Sequence, residues 1–521
     1  MSLSDDRRQA LKRLRKNLCT AQDAPFFDLC WAIEAVQTGR VAEARRYMQF
    51  PPEAADARFK SPYAVFPWEI ETLLSELLIV PKRPLRDGPN KVLNCRKFGA
   101  IVKIINALRD LENAESGIYL RRMNILDELH RIAQREFPWQ SGYFNRIQFY
   151  RYSYIYGGQD CATFFEQQYG VSPNAVSLFG FGMHGHFLRR PAFRGRIDLA
   201  VFGLTDANAR AALKLIGAPL PTIRTTFKAE LDQVSRKWGQ APPIAYRPSV
   251  FRRYPLVEFP DGLVRSPLPE LILQRVTSGL YYDLLPGGGS LRNEASRRFE
   301  RYSGELLGAL ISSVDVTYEY QYRHLGRGYR SPDVLGSARG LLQLIIECKA
   351  TKLSLDAQYA EDPIKLAQAG YDELAKGAYQ IWRHVAHVRG GSTRHTLHPN
   401  AFGVVLTLDN WMMMSRELRK AVLRKAEALC EAVDDIQRED KIPVVFCSIK
   451  DFENVLLQAD HEGLIAALAA AAAENYAGWQ LPDVHKDIGR PNLEKSYPFD
   501  MGDVLPWVRL VEEEARRRKA D

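Results

Sequence analysis

The sequence has few of the features that mark secreted or membrane-spanning proteins. Its seven cysteines are scattered along the chain, and no two of them form a Cys-x-x-Cys pair. That spacing argues against a disulfide framework and against a cysteine-ligated zinc site, and it favours reduced thiols in a cytoplasmic protein. No run of about 18 apolar residues is present, so we predict no membrane span. The first residues are charged rather than apolar, which argues against a signal peptide.

Two common catalytic signatures are also absent. The chain contains neither the P-loop pattern GxxxxGK[ST] nor the GxSxG nucleophile elbow. The glycine-containing segment Gly326–Arg330, GRGYR, is too short for a nucleotide-binding fingerprint. The sequence therefore gives no support for a P-loop nucleotide hydrolase or for a serine hydrolase of the α/β type.

The composition is that of a mildly basic globular protein. Of the 521 residues, 46% are apolar and 26% are charged. This length predicts two to four domains of roughly 150 residues each. The net charge of +9 is compatible with an anionic partner such as nucleic acid. Between Leu188 and Pro260 there are 13 Lys or Arg residues against 5 Asp or Glu residues, so positive charge is concentrated there.

Proline and glycine clusters divide the sequence into four predicted segments. Apolar residues recur every three to four positions in much of the first third of the chain, which predicts helices. The segment Pro286–Ser290, PGGGS, is the strongest linker signal. We therefore predict a mainly helical domain at 1–180, a basic connecting and substrate-facing region at 181–289, an α/β domain at 290–460 and a C-terminal helical extension at 461–521.

The sequence after the linker alternates between helical and strand patterns. LRNEASRRFERYSGELLGALI is an amphipathic helix, VDVTYEYQYR alternates as a strand does, HLGRGYRS is a turn, and SPDVLG and LLQLIIECK are two further strands. A helix, the buried strand AFGVVLTLD, another helix and the buried strand IPVVFCSIK follow. This order predicts an α/β (α+β) fold in which helices pack on a sheet.

The strand LLQLIIECK ends in two opposite charges. Glu347 and Lys349 lie two residues apart, so their side chains point to the same face of the strand. Placing a carboxylate and an ammonium at the end of a buried strand costs desolvation free energy unless a ligand uses them. The alternative interpretation is a surface ion pair, worth about 0–1 kcal/mol.

Asp333 supplies a second carboxylate beside this pair. It follows Pro332 near the start of the preceding predicted strand, and a hairpin between the two strands would bring it beside Glu347. Two converging carboxylates form an oxygen-rich pocket suited to Mg²⁺, which can bind a phosphate oxygen and lower the pKa of a bound water. Lys349 would then orient that water or neutralise charge that builds on the phosphate.

The segments SPD and IIECK resemble the signature of the PD-(D/E)xK nuclease superfamily, with Asp333, Glu347 and Lys349 in its three positions. The order of the elements around them is also similar to the core of that superfamily. The resemblance covers roughly Leu291 to Glu453 and implies a restriction-endonuclease-like core with a mixed sheet flanked by helices. It also implies Mg²⁺, for which Mn²⁺ can substitute, held by the two carboxylates with the help of the backbone carbonyl of Cys348.

The resemblance implies two further catalytic positions. Members often carry an acidic residue on the helix before the first strand, and Glu300 in RRFERYSGELL matches that place. Many members carry a glutamine on the helix after the ExK strand, and Gln380 in GAYQIWRH matches it. The tyrosine that usually follows four residues later is replaced here by His384.

Basic residues predict nucleic-acid contacts in two places. The first lies in Gly180–Leu204, a glycine-rich stretch that we predict to be irregular, where phenylalanines are interleaved with arginines. Its candidate residues are Arg189, Arg190, Arg194 and Arg196. The second comprises Arg327 and Arg330, in the turn that leads to Asp333. Either set could instead be an ordinary solvated face.

Histidines form two weaker patterns. One run contains His384, His387, His395 and His398. Its His-x-x-His pairs could bind zinc, but no cysteine or acid lies close by in the sequence to complete a usual ligand set. His184 and His186 lie in GMHGHF, where we predict a turn.

The leading hypothesis is a Mg²⁺-dependent endonuclease that hydrolyses DNA, with the C-terminal domain as its catalytic part. Large prokaryotic proteins with this core often act against foreign DNA, so a defence role is implied by analogy. Two alternatives stay open, a catalytically silent nucleic-acid-binding scaffold and an RNA- or tRNA-cleaving nuclease of toxin type on the same core. We expect no membrane partner, and the N-terminal domain could mediate a homo-oligomer or bind a partner protein.

Overall fold

The computed structural model describes residues 3–83, 92–121, 125–411, 415–431 and 435–520. The protein is about 60% helical and contains mixed sheets, which confirms the general α+β class. No helix within these described ranges combines the length and the apolar character that a membrane crossing requires.

The chain divides into two compact units. Unit 1 comprises Met1–Asn124, Arg135–Pro286 and Met501–Asp521, and unit 2 comprises Ile125–Gln134 and Gly287–Asp500. The change at Pro286 falls in the predicted linker. The division differs from the four predicted segments, because the basic region before the linker groups with unit 1 and the predicted C-terminal extension is split after Asp500.

Unit 1 is built mainly from helices. In chain order, its helices are α1 (Leu3–Leu18), α2 (Asp23–Gln37), α3 (Val41–Ala44), α4 (Pro67–Ile79), α5 (Gly99–Leu120), the part of α6 (Ile125–Ser141) from Arg135 onward, α7 (Arg146–Tyr156), α8 (Gln159–Tyr169), α9 (Pro173–Phe187), α10 (Asp206–Ile216), α11 (Leu220–Trp238), α12 (Glu270–Arg275) and α13 (Leu280–Leu284). Its small sheet has the order β1-β4-β3-β2, from β1 (Ala192–Phe193), β2 (Gly217–Pro219), β3 (Leu256–Glu258) and β4 (Val264–Arg265).

The glycine-rich stretch of unit 1 is helical where the sequence predicts irregular structure. Helix α9 continues to Phe187, so the predicted irregular structure is wrong for 180–187 and the predicted turn around His184 is wrong, whereas 188–204 is mostly irregular. The glycines there allow close packing. A Cβ atom on Gly180 would lie 2.5 Å from a methyl carbon of Val276, so this position requires the absence of a side chain.

Unit 2 contains the larger sheet and the helices that cover it. In chain order, its elements are α14 (Gly289–Leu310), β5 (Asp315–Tyr318), β6 (Gln321–His324), β7 (Arg327–Arg330), β8 (Val334–Ala338), β9 (Leu341–Lys349), α15 (Leu355–Gln358), α16 (Pro363–Leu366), α17 (Gln368–Arg389), β10 (Leu397–Thr407), α18 (Arg416–Glu431), β11 (Val444–Ser448), α19 (Ile449–Gln458), α20 (His461–Ala472) and α21 (Leu481–Asp487). The chain then returns to unit 1 with α22 (Met501–Val504) and α23 (Pro506–Ala520).

The five-stranded sheet has the order β11-β10-β9-β8-β5. The pairs β5–β8 and β8–β9 are antiparallel, whereas the pairs β9–β10 and β10–β11 are parallel. Strand β9 lies at the centre and is apolar along most of its length, because helices cover both faces of the sheet. Helix α14 packs on one face and α17 on the other.

The segment VDVTYEYQYR forms two strands, so the prediction of a single strand is wrong. Strand β5 joins the large sheet, whereas β6 pairs with β7 in a separate two-stranded hairpin. The predicted turn HLGRGYRS is therefore mostly strand, and only Leu325 and Gly326 connect β6 to β7. Both residues have positive φ angles, 48° and 77°, as a two-residue hairpin turn of type I′ requires.

Candidate active site

The end of β9 directs Glu347 and Lys349 toward α17. Ile345, two residues before Glu347, packs into the apolar core with Ala378 and Ile381 of α17. Because side chains alternate along a strand, Glu347 and Lys349 face the same way. Their side chains are only 4% and 13% exposed, and Lys349 Nζ donates a hydrogen bond to Glu347 Oε1 at 2.9 Å. The surface ion pair considered from the sequence is in fact a buried one.

The antiparallel register of β8 and β9 places Asp333 beside this pair. Val334 is opposite Ile346, so the preceding residue, Asp333, comes opposite Glu347. The backbone N–H of Cys348 donates to Asp333 Oδ2 at 2.7 Å and fixes the carboxylate at the end of β9. The backbone N–H of Glu319 donates to the Asp333 carbonyl at 3.1 Å, so the start of β8 is held from both sides.

Glu300 of α14 adds a third carboxylate to the same cluster. It lies at the helix position that the resemblance implies, within the electrostatic range of Glu347 and Lys349. Burial raises the pKa of Glu300, and the negative charges of Glu319 and Glu347 raise it further. The carboxylate of Glu300, on the helix before the sheet, therefore interacts electrostatically with the charged side chains at the end of β9.

The cluster carries more negative than positive charge. Burial raises the pKa of Asp333 well above its ordinary value, and the charges of Glu347 and Glu300 add to that effect. Burial also raises the pKa of Glu347, although Lys349 and Arg383 oppose the increase. Like charges brought together in a low-dielectric site disfavour simultaneous ionisation, so this cluster favours a bound cation.

Lys349 is held as a cation by its neighbours. Burial lowers the pKa of Lys349, but the charges of Glu347 and Asp333 outweigh burial and the net pKa is raised. Its Nζ also donates to Gln380 Oε1 at 3.4 Å, so the half-buried glutamine of α17 holds the ammonium from a second direction. Gln380 therefore contacts the site through Lys349.

The donor atoms fit a hard divalent cation. Glu347 Oε2 is buried and has no hydrogen-bond partner among the described residues. The carbonyl of Cys348 points to the same side of β9 as its N–H, the side on which Asp333 lies, because an extended residue directs both groups to one side. Carboxylate and backbone oxygens are the ligands that Mg²⁺ uses in proteins. The residues that the resemblance implies as ligands thus present oxygen atoms that a metal could bind.

Three functional positions were missed by sequence reasoning. Gly377 of α17 lets the helix approach the strand, because a Cβ there would lie 3.2 Å from Lys349 Cε and 3.3 Å from Glu347 Cγ. Arg383, six residues after Gly377, opposes by its charge the rise in the pKa of Glu347. Glu319 raises the pKa of both Glu300 and Glu347. Gly377 and Arg383 each lie three residues from the predicted Gln380, and this helical spacing is the sequence signal that could have indicated them.

The predicted nucleic-acid residues of unit 2 lie on the β6–β7 hairpin. Arg327 and Arg330 are both exposed. Arg330 pairs with Glu319 at 3.3 Å, and Glu319 is hydrogen-bonded through its backbone to Asp333. The hairpin therefore places at least one arginine next to the residues that border the carboxylate cluster.

The predicted nucleic-acid residues of unit 1 lie at and after the end of α9, and all four are exposed. Arg189 and Arg190 line a pocket of about 400 Å³ together with Gly185 and His186. The other two already have partners. Arg194 donates to the carbonyl of Asp261 at 2.9 Å, and Arg196 pairs with Asp206 at 2.7 Å.

The histidine run of unit 2 does not come together as a set. His384 is buried and lies 3.4 Å from the hydroxyl of Tyr322, and burial lowers its pKa to about 3. His395 contacts the ring of Tyr320, and His398 accepts a hydrogen bond from the backbone of Asn400. Among the described residues, His387 is the member of this run that joins a group of possible metal ligands, and its companions are distant in the sequence. That group is not one of the His-x-x-His pairs considered from the sequence.

The structure brings the predicted catalytic and metal positions into one cluster of unit 2. These positions are Glu300, Asp333, Glu347, Cys348, Lys349 and Gln380. Comparison of the chain with family models, with curated proteins and with solved structures finds no match.

Proposed function

We propose that the protein is a metal-dependent nuclease of the PD-(D/E)xK superfamily that hydrolyses phosphodiester bonds in DNA. The supporting observation is the carboxylate cluster at the end of β9, where a buried oxygen of Glu347 has no partner and the pKa values of Asp333 and Glu347 are raised. The sheet order β11-β10-β9-β8-β5, with α14 and α17 on its two faces, supports a restriction-endonuclease-like core.

In this proposal Asp333, Glu347 and the carbonyl of Cys348 hold Mg²⁺. The bound ion supplies a Lewis acid for a phosphate oxygen and lowers the pKa of a water molecule. Glu300 adds negative charge on the α14 side of the cluster, which strengthens cation binding. The oxygen-only donor set also accommodates Mn²⁺.

Lys349 would act on the substrate side of the same site. Its ammonium remains protonated because Glu347 and Asp333 raise its pKa, so it can donate hydrogen bonds to a phosphate oxygen or to the attacking water. Gln380 positions this ammonium from α17. The positive charge of Arg383 opposes the rise in the pKa of Glu347 that burial causes.

The exposed arginines suggest how a polynucleotide would be held. Arg327 and Arg330 on the hairpin, and Arg189 and Arg190 at the end of α9, are positioned in their own units to neutralise phosphates. The net charge of +9 agrees with a polyanionic substrate. A defence role against foreign DNA remains an analogy with large nucleases of this type.

The direct test is incubation of the purified full-length chain with plasmid DNA in Mg²⁺ and in EDTA. We expect cleavage with Mg²⁺ and none with EDTA. Asp333→Asn keeps an acceptor oxygen for the Cys348 N–H but loses the negative charge, so we expect it to fold and not to cleave. Asp315→Asn, an exposed aspartate at the start of β5, is the matched control and should cleave normally.

The same assay distinguishes the alternatives. A folded wild-type chain that binds DNA without nicking it in Mg²⁺ or Mn²⁺ would favour a silent scaffold and contradict the proposal. If the protein cleaves tRNA in preference to plasmid DNA, and Asp333→Asn abolishes that cleavage, the active site would be as proposed but the substrate would be RNA. Equal cleavage by wild type and Asp333→Asn would place the chemistry outside this cluster.

A further inference from the structure

A second cluster of polar side chains lies at the far end of β6. His324 of β6, His387 near the end of α17 and Asp435 after α18 meet there, although Asp435 is 111 residues from His324 in the sequence. His324 Nε2 lies 3.0 Å from Asp435 Oδ2, and His387 Nε2 lies 3.3 Å from the same oxygen. The three atoms are all within 4.8 Å of one another.

We propose that His324, His387 and Asp435 form a binding site for Zn²⁺ or a similar transition-metal ion. In a tetrahedral zinc site with bonds near 2.0–2.1 Å, neighbouring ligand atoms are separated by roughly 3.3 Å. The two nitrogen–oxygen distances are close to that separation. Two imidazoles and one carboxylate are also a common set of protein ligands for zinc when a water molecule completes the coordination.

The remaining ring nitrogens are arranged as a zinc site requires. His324 Nδ1 lies 2.7 Å from Ser392 Oγ, and His387 Nδ1 lies 2.8 Å from Tyr322 Oη. Histidine ligands usually donate the N–H that does not face the metal to an oxygen, which fixes the tautomer and the ring orientation. Both hydroxyls are able to accept such a bond, so each Nε2 can present its lone pair toward Asp435.

The backbone around Asp435 is held in place, and one carboxylate atom remains unpaired. Arg389 donates to the Asp435 carbonyl at 3.0 Å and also pairs with Asp440 at 2.8 Å. Asp435 Oδ1 is buried without a hydrogen-bond partner among the described residues. The Asp435 side chain is still 30% exposed, which leaves a path for the ion and for a water ligand.

The site would fasten the β6–β7 hairpin to α17. An isolated two-stranded hairpin is marginally stable in water. Here the hairpin is anchored by ring contacts, since Tyr329 lies 4.6 Å from the His387 ring and the His324 ring stacks on it at 3.9 Å. An ion bound by His324, His387 and Asp435 would join the hairpin, α17 and the segment after α18 at one point. It would thereby fix the strand that carries Arg327 and Arg330.

The two clusters of unit 2 select different ions. The cluster at the end of β9 offers oxygen atoms, which suit Mg²⁺, whereas the histidine cluster offers nitrogen atoms, which favour Zn²⁺. This inference does not depend on nuclease activity, so it can be tested by metal binding alone.

The test uses full-length protein freed of metal by a chelator and then titrated with Zn²⁺ and with Co²⁺. We expect equimolar Zn²⁺ to remain bound after gel filtration, and Co²⁺ to give the intense visible absorption of a four-coordinate complex. Asp435→Asn and His324→Gln should lose both signals. His398→Gln, a histidine on β10 outside the cluster, and Asp333→Asn, in the carboxylate cluster, should keep both.

Zinc should also raise the unfolding temperature of wild type and not that of Asp435→Asn. Asp435 is partly exposed, so we expect Asp435→Asn to fold even if His324→Gln does not. Equal zinc content in wild type and Asp435→Asn would overturn the proposal. A wild-type chain that gives no four-coordinate cobalt spectrum would overturn it as well, and would identify the cluster as hydrogen-bonded only.

Discussion

Buried carboxylates are neutralised differently in the two units. In unit 1, Glu71 faces Arg252 at 2.7 Å and Glu69 faces Arg109 at 2.6 Å, so each buried acid has its own arginine. In unit 2, Asp333 and Glu347 share the single ammonium of Lys349. The first arrangement is complete as it stands, whereas the second leaves negative charge for a ligand to neutralise.

The charges that face each buried acid, rather than the direction of its pKa shift alone, separate the two arrangements. Burial acts to raise the pKa of Glu71, but the charge and hydrogen bond of Arg252 outweigh it, and the pKa is lowered. At Asp333 burial and two neighbouring carboxylates act together, and the pKa is raised. Even Glu112, whose pKa burial raises, has an arginine, Arg135, at 2.7 Å. A buried acid without a full counter-charge is therefore the better indicator of a functional site.

The largest effect that we expect is on catalysis. Lys349→Ala removes the ammonium that contacts Glu347, so we predict a loss of DNA cleavage of about 10³-fold. The measurement is the initial rate of plasmid nicking in Mg²⁺, with circular dichroism to establish folding. Lys376→Ala, an exposed lysine of α17 paired only at the surface with Glu373, is the control and should nick at the wild-type rate. A fully active, folded Lys349→Ala would remove the assignment of this lysine.

The second effect concerns stability and compares the two units directly. Glu71→Gln removes the charged partner from the buried ion pair with Arg252, so we predict a loss of about 3–5 kcal/mol in the free energy of unfolding. Glu347→Gln in Mg²⁺-free buffer should cost much less, because Lys349 keeps the nearby carboxylate of Asp333 and the repulsion between Glu347 and Asp333 is removed. Denaturant unfolding of both variants measures the difference. An equal loss in both would mean that the two arrangements are energetically alike.

A smaller effect tests the approach of α17 to the strand. Gly377→Ala places a methyl group 3.2–3.3 Å from Lys349, Glu347 and Val405, so the helix or the side chains must shift by a few tenths of an ångström. We predict a fall in cleavage rate of about tenfold, with no loss of stability because alanine favours helix. Gly99→Ala, on α5, has no atom within 4 Å of the new Cβ and should leave the rate unchanged.

The smallest effect is a pH dependence of stability without metal. The folded-state pKa values of Asp333 and Glu347 are raised, so between the unfolded and folded values the native state binds more protons than the unfolded state. The free energy of unfolding should therefore fall as pH rises through this window. Thermal unfolding in Mg²⁺-free buffer from about pH 4 to pH 8 measures the slope, which Asp333→Asn should reduce. Affinity for Mg²⁺ should rise over the same range, since the ligands must be ionised.

The parts that the sequence predicts well are local. Asp333, Glu347 and Lys349 lie within one hairpin, so strand alternation and register are enough to bring them together. The apolar runs of β10 and β11 identify buried strands without further information. The break between β5 and β6 cannot be recognised in the sequence, because the two-residue alternation continues from one strand to the other.

The parts that escape sequence reasoning depend on contacts between distant segments. The contribution of Arg383 depends on the rotation of α17 over the sheet, which periodicity does not fix. The meeting of His324, His387 and Asp435 requires the hairpin, the helix end and a later segment to converge. The sequence prediction is wrong for the glycines of α9, because glycine is favoured both in irregular segments and where a helix packs closely on its neighbours.

The central position of β9 has a consequence for the dynamics of the site. Strands in the middle of a sheet exchange their amide hydrogens with solvent most slowly, because they open only when the surrounding structure unfolds. The amide of Cys348 belongs to such a strand and is bonded to Asp333 rather than to a neighbouring backbone. The exchange rate of this amide hydrogen would therefore depend on its hydrogen bond to the Asp333 carboxylate. Binding of an ion to Asp333 could be detected as a change in the exchange rate of this one amide, with no substrate present.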